Sequence, residues 1–213
     1  MGTFYKKSES YLDRIDPGLW IEIGTDRGEG STDWFADQAR QRNRDFYSID
    51  ADEDQILKAT ERMALHPDQY SHVQLIHGKG EIEIRNIQQQ RPTDPISLVY
   101  LDNYDWDYWL NRVEEPFVAG VKQRYRDVLQ SEMTNINSQC THLLQALRLV
   151  SMMAENSVVI CDDTWFDSDD GIFVGKCSAA IPLFMIYGFQ VVHHSGFRQN
   201  SGVILAKGDK LLS

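Results

Sequence analysis

The sequence has few cysteines and no long apolar run, and each scarcity excludes a class of protein. Its three cysteines, Cys140, Cys161 and Cys177, are widely spaced and form no C-x-x-C pair, so neither a disulfide framework nor a zinc site is indicated. No apolar run approaches the ~20 residues of a membrane-spanning helix, and no signal peptide opens the chain. We therefore expect a cytoplasmic protein with reduced thiols.

Basic residues are also scarce relative to acidic ones. Against 32 Asp and Glu stand 21 Lys and Arg, which gives a formal net charge of −11 over 213 residues. A surface this acidic repels phosphate backbones and anionic lipids. We therefore expect a small-molecule substrate, and neither nucleic acid nor a membrane as partner. The length is that of one domain, 1–213, with a sizeable core.

Short apolar segments alternate with helical ones along most of the chain. This alternation predicts an α/β fold of βαβ units around a parallel sheet. The predicted strands are 19–23, 46–49, 73–76, 96–101 and 158–161, followed by a closing pair at 189–193 and 203–206. The predicted helices are 3–15, 31–43, 54–65, 81–90, two near 115–131 and 137–155, and one at about 175–187.

A glycine-rich turn follows the first predicted strand. Its pattern is Glu22-x-Gly24-x-x-x-Gly28-x-Gly30, and Ser31 then opens a helix. Glycines let the backbone approach a ligand closely and adopt positive φ. The spacing is neither the dinucleotide fingerprint nor a P-loop, which disfavours an NAD-dependent oxidoreductase. Glu22 would repel a pyrophosphate and suits a ligand with a cationic group.

Three further predicted strands end on residues suited to ligand contact. Asp50 follows the second strand, Gly78 the third and Asp102 the fourth. A parallel sheet binds ligands outside the carboxyl ends of its strands. These residues and the glycine turn are therefore expected at one edge of the sheet.

On these residues the sequence resembles the class I S-adenosylmethionine-dependent methyltransferases. The resemblance implies a Rossmann-like, seven-stranded, mostly parallel sheet with a final antiparallel strand and helices on both faces. That cofactor carries an ammonium and a sulfonium, which fits the nearby acids. The resemblance also implies that Asp50 accepts the ribose hydroxyls and that residues 78–81 contact the adenine. The candidate cofactor-binding residues are Glu22, Gly24, Thr25, Gly28, Ser31, Asp50, Gly78, Lys79, Gly80 and Asp102.

A second group of acids ends the fourth and fifth strands. Asp102, Asp162 and Asp163 are expected to converge as a hard-oxygen site for Mg²⁺ or Ca²⁺, and such an ion would orient and acidify an acceptor hydroxyl. The pattern is similar to that of metal-dependent O-methyltransferases, especially the macrocin O-methyltransferase-like enzymes of natural product biosynthesis. The 60 residues from Asp102 to Asp162 exceed that family's usual spacing. The alternative is a solvated strand end or a helix cap.

The sequence leaves the catalytic base open. Asp102, Tyr104, Asp105 and His142 are the candidate catalytic residues, and Asp105 stands where catechol-type enzymes place a lysine. His193, His194 and Lys176 are further candidates for the base. With a bound metal, a strong protein base would be unnecessary.

Residues 103–156 form a predicted helical insert between the fourth and fifth strands. It begins with an aromatic and acidic cluster at 104–109, which with Trp165 and Phe166 would form a lid or wall for a planar acceptor or would pack the insert on the sheet. An apolar stripe could serve a homodimer surface, although core burial is the default. The stripe comprises Leu143, Leu144, Leu147, Leu149 and Val150.

Together these features predict a methyltransferase that uses S-adenosylmethionine to methylate a small-molecule hydroxyl, with Mg²⁺ as an optional second cofactor. One alternative is a metal-independent N- or C-methyltransferase. Another is a non-catalytic cofactor-binding subunit or scaffold that uses the insert to bind a partner.

Overall fold

Nine strands occur in the computed structural model, which describes residues 2–108, 116–196 and 200–212. They are β1 Leu19–Ile23, β2 Phe46–Asp50, β3 Val73–His77, β4 Ile96–Leu101, β5 Met153–Asp162, β6 Thr164–Asp167, β7 Ile172–Gly175, β8 Gln190–His194 and β9 Gly202–Lys207. The helices are α1 Ser31–Gln41, α2 Glu53–Ala64, α3 Pro67–Tyr70, α4 Gly80–Gln90, α5 Pro116–Asp127, α6 Asn135–Leu149, α7 Ile181–Ile186 and α8 Asp209–Leu212, with 3₁₀ helices at Phe4–Tyr11 and Val150–Met152.

Seven of these strands form one sheet in the order β3-β2-β1-β4-β5-β9-β8. The strands from β3 to β5 pair in parallel, whereas β9 is antiparallel to both β5 and β8. The predicted Rossmann-like sheet with a final antiparallel strand is therefore confirmed. Its carboxyl edge gathers the ends of β1, β2, β4 and β5.

Apolar layers cover both faces of this sheet. On one face, α4, α6 and α7 contribute Ile84, Leu149 and Phe184 to a buried cluster; on the other, Phe4 and Phe35 are among the buried side chains. Every residue of β1 and β4 is buried, because central parallel strands are covered on both faces. This two-sided burial explains the continuous apolar runs in the sequence.

Several predicted elements differ from the observed ones. The helix predicted at 137–155 ends at Leu149, and residues 153–157 belong to β5 because they pair with neighbouring strands, as Ser157 does with Lys207. The helix predicted at 175–187 is confined to α7, since Pro182 fits the first turn of a helix and not its interior. The N-terminal helix predicted at 3–15 is a shorter 3₁₀ helix.

The predicted insert between β4 and β5 is present as α5 and α6, while residues 109–115, including Trp109 of the aromatic cluster, lie outside the described residues. The residues of its apolar stripe differ in burial. Leu149 and Val150 are buried, whereas Leu144 and Leu147 are about half exposed. Core burial is thus confirmed for one end of the stripe, and a homodimer surface stays a prediction.

Among the described residues, no helix has both the length and the apolar character required to cross a membrane.

Candidate functional site

The glycine turn brings the end of β1 against the end of β4. Gly24 has φ +114°, and a Cβ there would lie 2.8 Å from the main-chain oxygen of Asp102. The Asp102 N–H donates to the Ile23 carbonyl at 2.9 Å. Only glycine permits both this φ and this approach without strain, so the predicted positive φ of Gly24 is confirmed, while its approach to a ligand stays a prediction.

Asp50, at the end of β2, holds the glycine turn in place. Its Oδ2 accepts hydrogen bonds from the N–H groups of Thr25 and Asp26, both at 3.0 Å, and its Oδ1 accepts from Asp52 N–H at 2.9 Å. Burial raises the pKa of Asp50, and these hydrogen bonds oppose that shift. Because each carboxylate oxygen has two lone pairs, Asp50 retains acceptor capacity for a ligand hydroxyl.

Glu22 lies fully buried in β1 with only one carboxyl oxygen partnered. Its Oε2 accepts from the Ser48 hydroxyl at 2.6 Å, and Ser48 in turn contacts the Thr25 hydroxyl at 2.7 Å. Oε1 has no hydrogen-bond partner among the residues that the structure describes. Burial raises the pKa of Glu22 to about 7. A buried unpaired acceptor is costly, so this atom favours a donor or a cation brought by a ligand.

The start of α1 is braced from α2. Ser31 is the first residue of α1, and Gly28, with φ +72°, lies so close to α2 that a Cβ would be 3.0 Å from that of Ala59. From α2, Arg62 donates to the Gly28 carbonyl and forms an ion pair with Asp33 at 2.9 Å. The turn is therefore fixed before any ligand arrives.

The segment after β3 joins the same edge. Gly78 N–H donates to the Asp50 carbonyl at 2.9 Å, Lys79 precedes α4 and Gly80 begins it. A Cβ at Gly80 would lie 2.6 Å from Ile23 Cγ2 and 2.9 Å from Gln145 Nε2. All the predicted cofactor residues therefore lie along one edge of the sheet.

Gln145 is a residue of this edge that the sequence did not single out. It lies on α6, fully buried, and its amide oxygen and nitrogen have no partner within the described part of the chain. A single glutamine in an amphipathic helix forms no sequence pattern from which a site residue could be predicted. Only the packing of α6 on α4 reveals where it lies.

The insert is tied to the neighbouring end of β2. From α5, the Arg124 guanidinium contacts Asp52, with Nε 2.8 Å from Oδ2. Asp52 also caps α2 by accepting from Asp54 N–H at 3.0 Å. This bridge ties α5 to the start of α2, two residues after Asp50.

Three carboxylates converge at the ends of β4 and β5. One oxygen each from Asp102, Asp162 and Asp163 lies within 4.8 Å of the others, so their predicted convergence is confirmed. The buried Lys176 ammonium lies among them, 2.9 Å from Asp102 Oδ1 and 3.0 Å from Asp163 Oδ2. The arrangement does not fit an added Mg²⁺ because a fixed cation already neutralises two of the three ligands.

The charges of this cluster follow from burial and proximity. Burial and the negative charge of Asp102 raise the pKa of Asp162 well above its ordinary value. Burial opposes ionisation of Asp163, but the Lys176 ammonium outweighs it and lowers the pKa. Burial likewise disfavours the charge on Lys176, yet Asp102 and Asp163 hold its pKa well above the usual range. Lys176 is therefore a permanent cation and not a base.

Lys176 lies beside Asp102 and Asp163 because it follows a hairpin that the sequence did not predict. Residues 164–175, for which no strand was predicted, form the β6–β7 hairpin, in which Thr164 pairs with Gly175. Lys176 N–H then donates to the Asp163 carbonyl at 3.1 Å. The sequence placed Lys176 at the start of a helix, so its position beside Asp163 was missed.

We expect Gly175→Ala to lower the free energy of unfolding by about 2–4 kcal/mol. Gly175 has φ +110°, and a Cβ there would overlap the main chain at Asp163. The matched control is Gly171→Ala in the same hairpin. Gly171 also has positive φ, but its Cβ would meet nothing within 4 Å, so the expected loss is only about 1–2 kcal/mol. Equal losses in urea unfolding would contradict the steric explanation.

Of the predicted catalytic residues, Tyr104 has hydrogen-bond partners in the insert and Asp105 is exposed. The Tyr104 hydroxyl contacts Ser131 at 2.9 Å and donates to the Glu132 carbonyl, and its ring packs edge-on against Tyr125. Asp105 is exposed, with its N–H bonded to the Tyr125 hydroxyl at 2.5 Å. The structure therefore gives Tyr104 a role in holding the insert and does not bring its hydroxyl to the carboxylates.

His142, on α6, is a fully buried imidazole. Burial lowers its pKa to about 4, so the imidazole is neutral at neutral pH. Nδ1 lies 2.7 Å from the Ser138 carbonyl, which can only accept, so the hydrogen is on Nδ1. Nε2 then carries a lone pair, with no partner in the described ranges.

Aromatic side chains flank the carboxylates. Tyr108 stacks on Trp165 with ring centroids 6.1 Å apart, and Trp106 meets Trp165 edge-on at 6.2 Å. Tyr108 also hydrogen-bonds to Asp163. The predicted aromatic group is therefore present beside the cluster, and its role as a wall for the acceptor stays a prediction.

Comparison with solved structures finds methyltransferases of the same fold. CalS11, a TDP-rhamnose 3′-O-methyltransferase of calicheamicin biosynthesis, matches with a TM-score of 0.56 at 11% identity over 96% of this chain and 78% of its own. The Streptococcus mutans protein SMU.1697c, a candidate methyltransferase bound to S-adenosylhomocysteine, gives 0.53 at 14% identity over 95% and 97%. The glycopeptide N-methyltransferase MtfA, bound to S-adenosylmethionine, gives 0.52 at 9% identity over 96% and 86%.

Comparison with protein-family models gives no match, nor does comparison with curated protein sequences. At these identities the structural likeness establishes the fold alone. The fold is that of the class I methyltransferases, as the sequence resemblance implied. What the site does must be argued from its residues.

Proposed function

We propose that this protein is an S-adenosylmethionine-dependent methyltransferase acting on a small-molecule acceptor, at a hydroxyl. The observation that carries the proposal is the buried Glu22 beside the Asp50-bound glycine turn. Its Oε1 makes no hydrogen bond with the described residues, although the Ser31 and Thr32 hydroxyls lie near enough to lower its pKa. Together these groups offer an acceptor for a cation and acceptors for ribose hydroxyls at one sheet edge. The fold supports the same conclusion, because ligands bind at this edge of open α/β sheets.

Glu22, Asp50 and residues 78–80 would each contact a different part of the cofactor. S-adenosylmethionine, when bound, supplies an activated methyl group on a sulfonium. Glu22 would face its ammonium group, Asp50 would accept from its ribose, and residues 78–80 with Gln145 would border its adenine. Arg124 would hold the insert over the ribose side through Asp52.

The acceptor side is formed by the carboxylates, the aromatic group and His142. Trp106, Tyr108 and Trp165 suit a planar or apolar ring, since aromatic walls bury such groups favourably. His142 is the proposed proton acceptor because its Nε2 has no partner among the described residues, and its pKa of about 4 makes it a weak base. We leave Mg²⁺ out of the proposal because the Lys176 ammonium lies between two of its three expected ligands.

A metal-independent N-methyltransferase is the second candidate. It is favoured by the surplus of acids around Lys176, since three carboxylates face one ammonium in this cluster. Such a surplus suits an acceptor that arrives as a cationic amine. The two candidates share the cofactor edge and differ only in the acceptor.

Titration with S-adenosylmethionine, followed by transfer of its isotopically labelled methyl group to panels of phenols, sugars and amines, tests the proposal. We expect cofactor binding and label in a hydroxyl-containing product. Label only in amines would favour the second candidate. Binding without transfer to any class would favour a non-catalytic cofactor-binding subunit.

A further inference from the structure

The carboxylate cluster contains its own cation. We propose that the Lys176 ammonium is a resident cation which occupies the place of a divalent metal between Asp102 and Asp163 and makes this centre metal-independent. Its importance for methyl transfer rests on the proposed function, whereas the exclusion of metal does not. Lys176 is then a positioning residue that holds two carboxylates, one from each of two adjacent strands.

The ammonium already contacts one oxygen of each of these two carboxylates. Nζ is 2.9 Å from Asp102 Oδ1 and 3.0 Å from Asp163 Oδ2, whereas a divalent ion needs carboxylate oxygens at ~2.0–2.6 Å. An ammonium has three donors and no lone pair, so it cannot itself be a ligand. A metal bound to both oxygens would have to displace Lys176.

The main chain opposes that displacement. Lys176 is only 2% exposed, and hydrogen bonds fix the main chain at Lys176 and at the next residue. Its own N–H donates to the Asp163 carbonyl at 3.1 Å, and Cys177 N–H donates to Thr164 Oγ1 at 3.0 Å. Gly175 packs against Asp163 just before it. The hairpin therefore restrains the position of the ammonium, whereas the side chain of a surface lysine can move into solvent.

The same contacts explain what the cation does. Asp102 follows β4 and Asp163 follows β5, and these strands pair in parallel up to Leu101 and Cys161. Without a cation, the two carboxylates would repel each other at the strand ends. Lys176 bridges them and so fixes the positions of the two carboxylates beside the proposed acceptor position.

The test is a calorimetric titration with Mn²⁺, an ion that carboxylate sites accept. We expect the wild type not to bind Mn²⁺ at micromolar concentrations, and Lys176→Ala to gain affinity by ~100-fold or more, since a cation about 4 Å away no longer opposes the ion. Mn²⁺ should also raise the Tm of Lys176→Ala and not of the wild type. The control is Lys210→Ala, which removes a lysine paired to Asp16 at 2.8 Å away from the cluster and should behave as the wild type does.

Two results would overturn the inference. One is micromolar Mn²⁺ binding by the wild type that Asp163→Asn abolishes, a comparison that decides the matter even if Lys176→Ala does not fold. The other is a folded Lys176→Ala protein that gains no Mn²⁺ affinity. Neither readout depends on S-adenosylmethionine, so a failure of the proposed function would be seen separately, as absence of cofactor binding.

Discussion

Asp50→Asn is expected to bind S-adenosylmethionine ~100-fold more weakly than the wild type. Asp50 accepts N–H hydrogen bonds through both carboxylate oxygens, from Thr25 and Asp26 on one side and Asp52 on the other. An asparagine turns one of these acceptors into an NH₂ group, which faces a main-chain donor. The glycine turn then loses its anchor and the proposed ribose site loses its charge. Hydrogen bonds to a charged group contribute about 1.5–3 kcal/mol each, and each ~1.4 kcal/mol is tenfold in affinity.

The matched control for this variant is Asp45→Asn. Asp45 precedes the same strand at its opposite end, where it forms a half-exposed ion pair with Arg91 at 3.0 Å. It should leave the affinity for S-adenosylmethionine within about twofold of the wild type, because exposed ion pairs contribute little. An Asp50→Asn protein that is folded and binds the cofactor normally would remove Asp50 from the site.

Glu22→Gln should change how stability depends on pH. Burial raises the pKa of Glu22 from its ordinary 4.5 to about 7. The stabilisation of the neutral carboxyl is fully present below pH 4.5 and is lost as the pH rises through about 7, because the unfolded chain releases its proton first. Relative to Glu22→Gln, the wild type should therefore lose roughly 3 kcal/mol over this window, at ~1.4 kcal/mol per pH unit.

Urea unfolding of both proteins at several pH values measures this difference. The raised pKa values of Asp50 and Asp162 act in the same direction in both proteins and cancel in the comparison. Glu29→Gln is the control, because Glu29 is a half-exposed glutamate of the same turn. Parallel curves for the wild type and Glu22→Gln would contradict the burial of an uncompensated carboxyl.

Local sequence chemistry was sufficient to predict which residues lie at the carboxyl edge of the sheet, whereas their roles toward a cofactor rest on the family resemblance and stay a prediction. Gly24, Asp50 and Gly78 each follow an apolar strand, and parallel strands bring their carboxyl ends to one edge. Each prediction therefore required only a short segment and the rule for the sheet. The two-sided burial of β1 and β4 likewise follows from their unbroken apolar runs.

The positions of the remaining site residues depend on contacts between segments that are distant in the sequence, and no local pattern encodes such contacts. The β6–β7 hairpin is a pairing of two four-residue strands, and it brings Lys176 beside Asp163. Gln145 reaches the cofactor edge only because α6 packs on α4. Tyr104 lies close to Asp102 in the sequence, yet its hydroxyl contacts Ser131 and the Glu132 carbonyl in the insert. The convergence of the three carboxylates could be predicted from the sequence, whereas the position of Lys176 among them could not.

Isothermal titration of the wild-type protein with S-adenosylmethionine tests the central claim most directly. We predict one molecule bound per chain with saturation in the micromolar range, and cofactor at 100 times Kd should raise the free energy of unfolding by about 2.7 kcal/mol. Absence of both heat and thermal stabilisation at millimolar cofactor, with the protein folded, would contradict the account.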